Sequence, residues 1–371
     1  MTPSPQLIKE GTTEVLVHVS KASGKGPGVR EAGSFYNPSM ELNRDLSILV
    51  MQWFLNQATS HVHLLDGLAA SGIRGLRYAH ELRGDFDVTV NDWDPDSFRL
   101  IGENIERTKA QTITCFRKDL NVLLSEQRYH AIDIDPFGSP VYFIDAALRS
   151  IYNNGILSCT ATDTAALCGV FPKVCYRRYG AWPLHCPPMH EVGLRILLGF
   201  VCREAAKYDR GIEPLLCYTT DHYLRVYVRI KKGRGAANAA MDQFRMLPAT
   251  VVPLSRNERP WVGPLWLGSL GQREVLAEVR TLVFTKELRT KNQLWILLNL
   301  LEEEADGPPF FYTTNDLSSL LKVSPPTMGH LFEALRKQGY LVTRTHCTPT
   351  GFKTNAPLSV IKEVFKHKQI S

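Results

Sequence analysis

Apolar residues along this chain change their spacing several times, and each change marks an element. "TTEVLVHV" (12–19) is short and β-branched and predicts a strand. "SKASGKGPGVREAGS" (20–34) is rich in Gly and Lys and predicts a basic loop. Residues 39–57 place apolar side chains at helical spacing, with Ser39 as the expected N-cap. An alternating pattern follows. Strands are expected at 61–67, 86–92, 111–119, 129–136 and 155–163, and helices at 71–82, 94–109, 139–154 and 188–208. Asp94 followed by Pro95 is a strong helix start. Residues 212–232 predict a closing strand pair with a tight turn near Asp221. Strands separated by helices of this length predict an α/β fold, with a parallel sheet covered on both faces and an antiparallel edge.

After Lys232 the pattern breaks. Residues 233–264 show no clear period and are expected to be linker or loop. Residues 282–305 are helical. Residues 313–346 predict helix, turn, helix and strand, with Thr314 and Ser324 as caps, an order that resembles a small winged-helix module. The expected organisation is an N-terminal strand and basic loop (1–36), an α/β domain (37–260) and a smaller α+β C-terminal domain (261–371).

Length supports this division, because 371 residues exceed the roughly 250–300 that one core usually serves. The net charge of +6 is a mild bias toward polyanions. The eight cysteines form no C-x-x-C pair, so a structural zinc site is not expected, and they suit small buried hydrophobes. No apolar run approaches the roughly 20 residues of a membrane span, and the N-terminus lacks signal-peptide order. A soluble, cytoplasmic protein is expected.

The candidate chemistry lies at the carboxyl ends of the expected strands, where open α/β sheets bind ligands. "DGLAASGIRG" (66–75) is a small-residue loop in which Gly67, Gly72 and Gly75 permit close ligand approach. It is not G-x-G-x-x-G, which weakens a nicotinamide reading. Asp92 can hold a ribose diol. Asp119 can accept from an exocyclic amine or merely cap a helix. "DPFGSP" (135–140) sets a carboxylate, Asp135, and a ring, Phe137, beside the place where a cofactor's reactive end would lie. The alternative is that Asp135 caps a helix and Phe137 packs in the core.

Several blocks carry a resemblance: "FYNPSMELNRD", "LLDGLAASGIRGLRYAHEL", "NDWDPDSFRLIGENI", "DIDPFGSPVYFIDAALRS", "TATDTAALCG", "HEVGLRILLG" and "RTHCTPTGFKTNAP". Across about residues 30–360 the chain resembles the tRNA (guanine-26-N2)-dimethyltransferases, the Trm1 family. The resemblance implies a Rossmann-like class I methyltransferase sheet, S-adenosylmethionine as cofactor, tRNA as partner and a C-terminal domain that helps grip it. It implies one or two methyl groups added to the exocyclic amine of guanine 26, and in some members guanine 27. Carried over residue by residue, the cofactor positions are Arg44, Asp66, Gly67, Arg74, Asp92, Asp119 and Leu120. Asp135 becomes the catalytic acid, and Pro136, Phe137 and Asp163 the base pocket. Some relatives carry a zinc-binding cysteine cluster after the position of Lys232; this chain has none there, so no metal is expected, nor any obligatory protein partner.

Phosphate contacts are expected from Lys21, Lys25, Arg30, Lys173, Arg177, Arg178, Arg344 and Lys353. Competing readings are a dehydrogenase or nucleotide-sugar enzyme, a methyltransferase for another RNA guanine N2, and a non-catalytic nucleic-acid binder.

Overall fold

The computed structural model describes residues 5–18, 36–220, 222–255 and 259–367. Lys21, Lys25, Arg30 and the turn residue Asp221 lie outside them. The first segment forms an antiparallel hairpin, β1 (Gln6–Glu10) and β2 (Thr13–Val17), with Gly11 at positive φ between them. Asn37, not Ser39, supplies the next cap: its side chain accepts from the Ser39 N–H at 3.0 Å, and α1 (Glu41–Asn56) follows.

Alternation then proceeds as β3 (Val62–Asp66), α2 (Ile73–Glu81), β4 (Phe86–Asn91), α3 (Pro95–Thr108), β5 (Ile113–Phe116), α4 (Leu120–Glu126) and β6 (Tyr129–Ile134). Asp94 caps α3 as expected, accepting from the Ser97 N–H at 2.9 Å. Next come α5 (Val141–Ser150), β7 (Ile151–Ala161), α6 (Thr164–Leu167), α7 (Pro172–Tyr179), α8 (Met189–Ala206), β8 (Arg210–Thr219) and β9 (Leu224–Lys232). The seven strands β3–β9 form one sheet in the order β5-β4-β3-β6-β7-β9-β8. It is parallel except for β9, which runs antiparallel to both β7 and β8. β7 starts at Ile151, where a helical tail was expected. A register shift against β6 and the positive φ of Asn154 absorb the irregular "IYNN" within the strand.

The stretch expected as linker is structured: α9 (Arg234–Met241), β10 (Phe244–Pro248) and β11 (Trp261–Trp266). These elements are too short to show a period. A Cβ at Gly211 would meet the Ala236 carbonyl at 2.2 Å, so that glycine lets α9 lie directly on β8. Residue 260 falls inside the β10–β11 hairpin. The helices that follow, α10 (Arg273–Thr281) and α11 (Lys291–Glu304), share one apolar core with α1, where Leu276, Val279, Leu294 and Leu298 meet Leu46, Leu49 and Trp53.

A separate small core lies under β12 (Tyr312–Thr313), α12 (Thr314–Leu321), α13 (Met328–Lys337), β13 (Val342–Arg344), β14 (Gly351–Thr354) and α14 (Leu358–His367). Its three strands pair in the order β12-β14-β13. The caps of α12 and α13 are Thr313 and Thr327, whose hydroxyls accept from the N–H groups of Asp316 and His330. No helix among the described residues is long and apolar enough to cross a membrane.

Candidate active site

The carboxyl ends of β3, β4 and β6 open into one cleft of about 830 Å³, lined by Arg44, Asp66, Arg74, Asp92, Asp135, Pro136 and Phe137. The loop after β3 is shaped by Ala70 and Gly72, at φ 51° and 77°. Gly67 serves packing: a Cβ there would stand 3.0 Å from the Leu120 methyls and 3.1 Å from the Asp133 carbonyl. Gly75 lets α2 approach β4, since its Cβ would fall 2.4 Å from a Val90 methyl. Gly67 and Leu120 therefore sit below the cleft, outside its lining.

Two backbone bonds fix the Asp92 carboxylate. Oδ2 accepts from the Ala70 N–H at 2.8 Å and Oδ1 from the Asp94 N–H at 3.0 Å. Asp119 is exposed and caps α4, accepting from the Asn121 N–H at 2.8 Å; it lies outside the cleft lining.

At the tip of β6 both carboxylates are paired. The Asp135 carboxylate accepts from NH2 of Arg74, and NH1 of the same guanidinium donates to Asn43 Oδ1 (3.0 Å) and Ser47 Oγ (2.6 Å). Arg225 grips Asp133 through both terminal nitrogens, with NH1 at 3.0 Å from Oδ1, and NH1 also donates to Thr160 at 2.9 Å. Such two-point guanidinium–carboxylate contacts combine charge with fixed geometry. Burial would raise Asp133, but Arg225 and then Arg74 hold it below the ordinary carboxylate range. Asp66 lacks such a grip. Among the described residues it accepts only the Gly75 N–H, at 3.0 Å, and burial, with Asp133 nearby, pushes it up to about 7 against the pull of Arg74. Asp135 is thus held from below by Arg74 while its side chain keeps 17% exposure toward the cleft. It does not cap α5, whose N-cap is Pro140.

Arg44 is clamped on the other wall. Its Nε donates to Glu10 Oε2 at 2.8 Å, NH2 donates to the Asn37 carbonyl at 3.1 Å, and the guanidinium lies 5.0 Å over the Tyr36 ring. Burial would raise Glu10; Arg44, Tyr36 and Arg77 keep it low instead.

Asp163 does not line the cleft. It accepts from Tyr179 OH (2.7 Å) and Arg178 NH1 (2.9 Å), and Ser139 Oγ donates to the Tyr179 oxygen at 2.7 Å. The residues Asp163, Tyr179 and Ser139 therefore brace the Asp-Pro-Phe-Gly-Ser turn from behind. Lys173 and Arg177 are exposed on α7, and Arg344 is exposed but paired with Glu303.

Lys353 is a correction. Its side chain is 2% exposed, and Nζ donates to Glu191 Oε1 at 2.9 Å and stands 3.7 Å from Glu304. A phosphate cannot reach it. Burial would raise Glu191, but Lys353 and Arg195 pull it down to about 2. This cluster fastens the small C-terminal unit to α8. His346 extends it by accepting the Thr219 N–H at 3.0 Å and bonding Glu304.

Three site residues escape a reading by motif. Trp93, 60% exposed, and Tyr142, 65% exposed, both line the cleft. Arg225 holds the acidic centre from β9. A charge inside the apolar run "YLRVYV" was the available signal for it.

The family model for N2,N2-dimethylguanosine tRNA methyltransferases matches residues 19–366. The chain belongs to this family. A relative from Methanoregula boonei, named tRNA (guanine(26)-N(2))-dimethyltransferase, is 40% identical over 377 residues, covering 97% of each chain. A relative of the same name from Methanobrevibacter smithii is 36% identical, covering 97% of this chain and 96% of its own. Among solved structures, Trm1 from Pyrococcus horikoshii in complex with S-adenosyl-L-methionine aligns with a TM-score of 0.86 at 36% identity, over 97% of this chain and 100% of that one. The family and the Rossmann-like sheet expected from the sequence are both found.

Proposed function

We propose that this protein is an S-adenosylmethionine-dependent tRNA methyltransferase acting on the exocyclic N2 of guanine 26. The observation that carries the reading is one cleft at the strand tips in which Asp135, anchored by Arg74, shares a wall with Phe137 and faces the Asp66 and Asp92 end. Family membership supplies the substrate class.

The residues present suit the cofactor. The cleft volume lies within the range of about 300–1,000 Å³ usual for small-molecule sites. Asp92, fixed by two N–H groups, presents its carboxylate to the cleft, where it can accept from a ribose diol. Trp93 offers a ring beside it. Arg44 and Arg74 both bring positive charge into the cleft lining, suited to a carboxylate. When bound, the cofactor supplies an activated methyl on a sulfonium.

Methyl transfer is an in-line displacement, so positioning and electrostatics carry most of the catalysis. Asp135 accepts one N2 hydrogen of the guanine, aims the nitrogen lone pair and takes up the positive charge that develops. The N2–methyl bond forms as the sulfur–methyl bond breaks, and the N2 proton passes toward Asp135. Arg74 keeps that carboxylate aimed. Phe137, 51% exposed, offers a stacking face for the base. The target base lies within folded tRNA and must leave its stack to enter. Lys173 and Arg177 on α7, with Arg178 beside Asp163, provide phosphate contacts next to the entrance, and the unit spanning 312–367 contributes a second grip. Asp119 stands beyond the Asp92 end of the cleft as the candidate for the adenine amine.

Nucleoside mass spectrometry of unmodified tRNA incubated with the protein and S-adenosylmethionine tests the reading. N2-methylated guanosine mapping to position 26 is expected. Methylation at another RNA guanine would establish the alternative substrate, and NAD binding without methyl transfer would overturn the reading.

A further inference from the structure

The amino-terminal edge of the sheet carries a side-chain cluster that methyl transfer does not use. Along the direction of β3, His63 stands roughly 10 Å and His61 roughly 16 Å from Asp66, at about 3.3 Å per residue. His61 and His63 are two residues apart at the start of β3, so both leave the same face. The parallel register sets Asp87 of β4 beside His63. His61 Nε2 is 3.2 Å from Asp87 Oδ2, and His63 Nδ1 is 2.9 Å from both Asp87 oxygens. One donor atom from each of the three residues lies within 4.8 Å of the others.

We propose that His61, His63 and Asp87 form a binding site for one divalent first-row transition ion of the zinc type, with Asp85 orienting His61. Two imidazole nitrogens and a carboxylate oxygen are a donor set zinc accepts, at about 2.0–2.2 Å each. Donors around a tetrahedral ion at that distance stand roughly 3.3 Å apart, close to the two histidine–Asp87 spacings found here. The support behind the ligands is also in place. Asp85 Oδ1 lies 2.6 Å from His61 Nδ1 and can accept a hydrogen bond from the N–H there, the carboxylate–histidine arrangement common behind metal-bound imidazoles. The His63 ring stacks on His130 at 5.5 Å, and His130 stacks on Tyr152 at 4.4 Å. His130 Nδ1 also accepts the His63 N–H at 3.0 Å.

Side-chain exposures of 42%, 42% and 45% leave the fourth position to water and give an ion a direct path in. The expectation of no metal rested on cysteine spacing, and this site uses no cysteine. An ion here would tie the start of β3 to the start of β4 and stabilise the fold by mass action. Methyl transfer at the opposite end of the strands would be unaffected.

Titration of the metal-free, full-length protein with zinc chloride by calorimetry, paired with thermal melts, tests this. One zinc per chain and a raised melting temperature are expected. His61→Ala and His63→Ala should each weaken binding at least about tenfold, and Asp85→Asn by about 10–100-fold, with methylation rates unchanged. No binding at about 100 µM zinc would overturn the proposal. So would parent-like affinity in His63→Ala with an unchanged far-UV spectrum, since the ion would then sit elsewhere, for example at Cys115 or Cys347. If His63→Ala fails to fold, Asp87→Asn answers the same question.

Discussion

The guanidinium of Arg74 donates to the Asp135 carboxylate from the protein side of the cleft. The carboxylate is therefore aimed and prevented from turning inward before any substrate arrives.

Replacing Asp135 by Asn keeps the shape but removes the charge and half of the acceptor capacity. Single-turnover methylation should slow by roughly 10²–10⁴-fold, the usual weight of a positioned proton acceptor. Cofactor affinity measured by calorimetry should change by less than about threefold, because the loss falls on the transition state. Parent-rate methylation by the Asn variant would remove Asp135 from the catalytic role.

Arg225→Met leaves Asp133 buried with one cation fewer. Breaking such a pair costs about 3–5 kcal/mol, and a chemical denaturation curve should show a loss of that order. The double variant Arg225→Met, Asp133→Asn should recover part of it, because no uncompensated charge remains. Equal losses in the single and double variants would show that the pairing itself is not what matters.

Asp66 titrates at about 7 in the folded protein, from an ordinary value of 3.8. Its folded value is raised, so the protonated form is favoured by folding. That contribution is complete below the unfolded value and is lost as pH rises through 7. Between pH 5 and pH 8 the parent should therefore lose stability relative to Asp66→Asn, which cannot ionise. Urea unfolding of both proteins across that range measures the difference; parallel pH profiles would contradict it.

Lys353 and Arg177 should separate cleanly. Lys353→Met breaks the contact with Glu191, lowers the melting temperature and leaves the salt dependence of tRNA binding unchanged. Arg177→Ala, on an exposed helix face, should leave the melting temperature alone and reduce the salt slope by about 0.7–0.9 if it meets one phosphate. Filter binding at several salt concentrations, beside thermal melts, distinguishes the two.

Local chemistry made much of this protein legible before any coordinates. The alternation of apolar runs with amphipathic stretches announced β3 to β7, and Asp94–Pro95 marked the start of α3 to the residue. The acid-Pro-aromatic turn at 135–137 and the acid at 92 pointed to the cleft, because periodicity, caps and turns are decided by neighbours within a few positions. Which charges meet is decided otherwise. Asp133 and Arg225 are 92 positions apart and become partners only because β9 inserts beside β7 in the sheet. Lys353 looked like a surface cation, yet it neutralises Glu191, 162 positions away, once the C-terminal unit docks on α8. Asp119 reads in sequence as an amine acceptor or a cap and Asp163, by the resemblance, as part of the base pocket, but only packing shows that the first caps α4 and the second braces Tyr179. A chain's own order carries local backbone preference, whereas the pairing of buried charges depends on strand order and layer contacts that bring distant segments within a few ångströms.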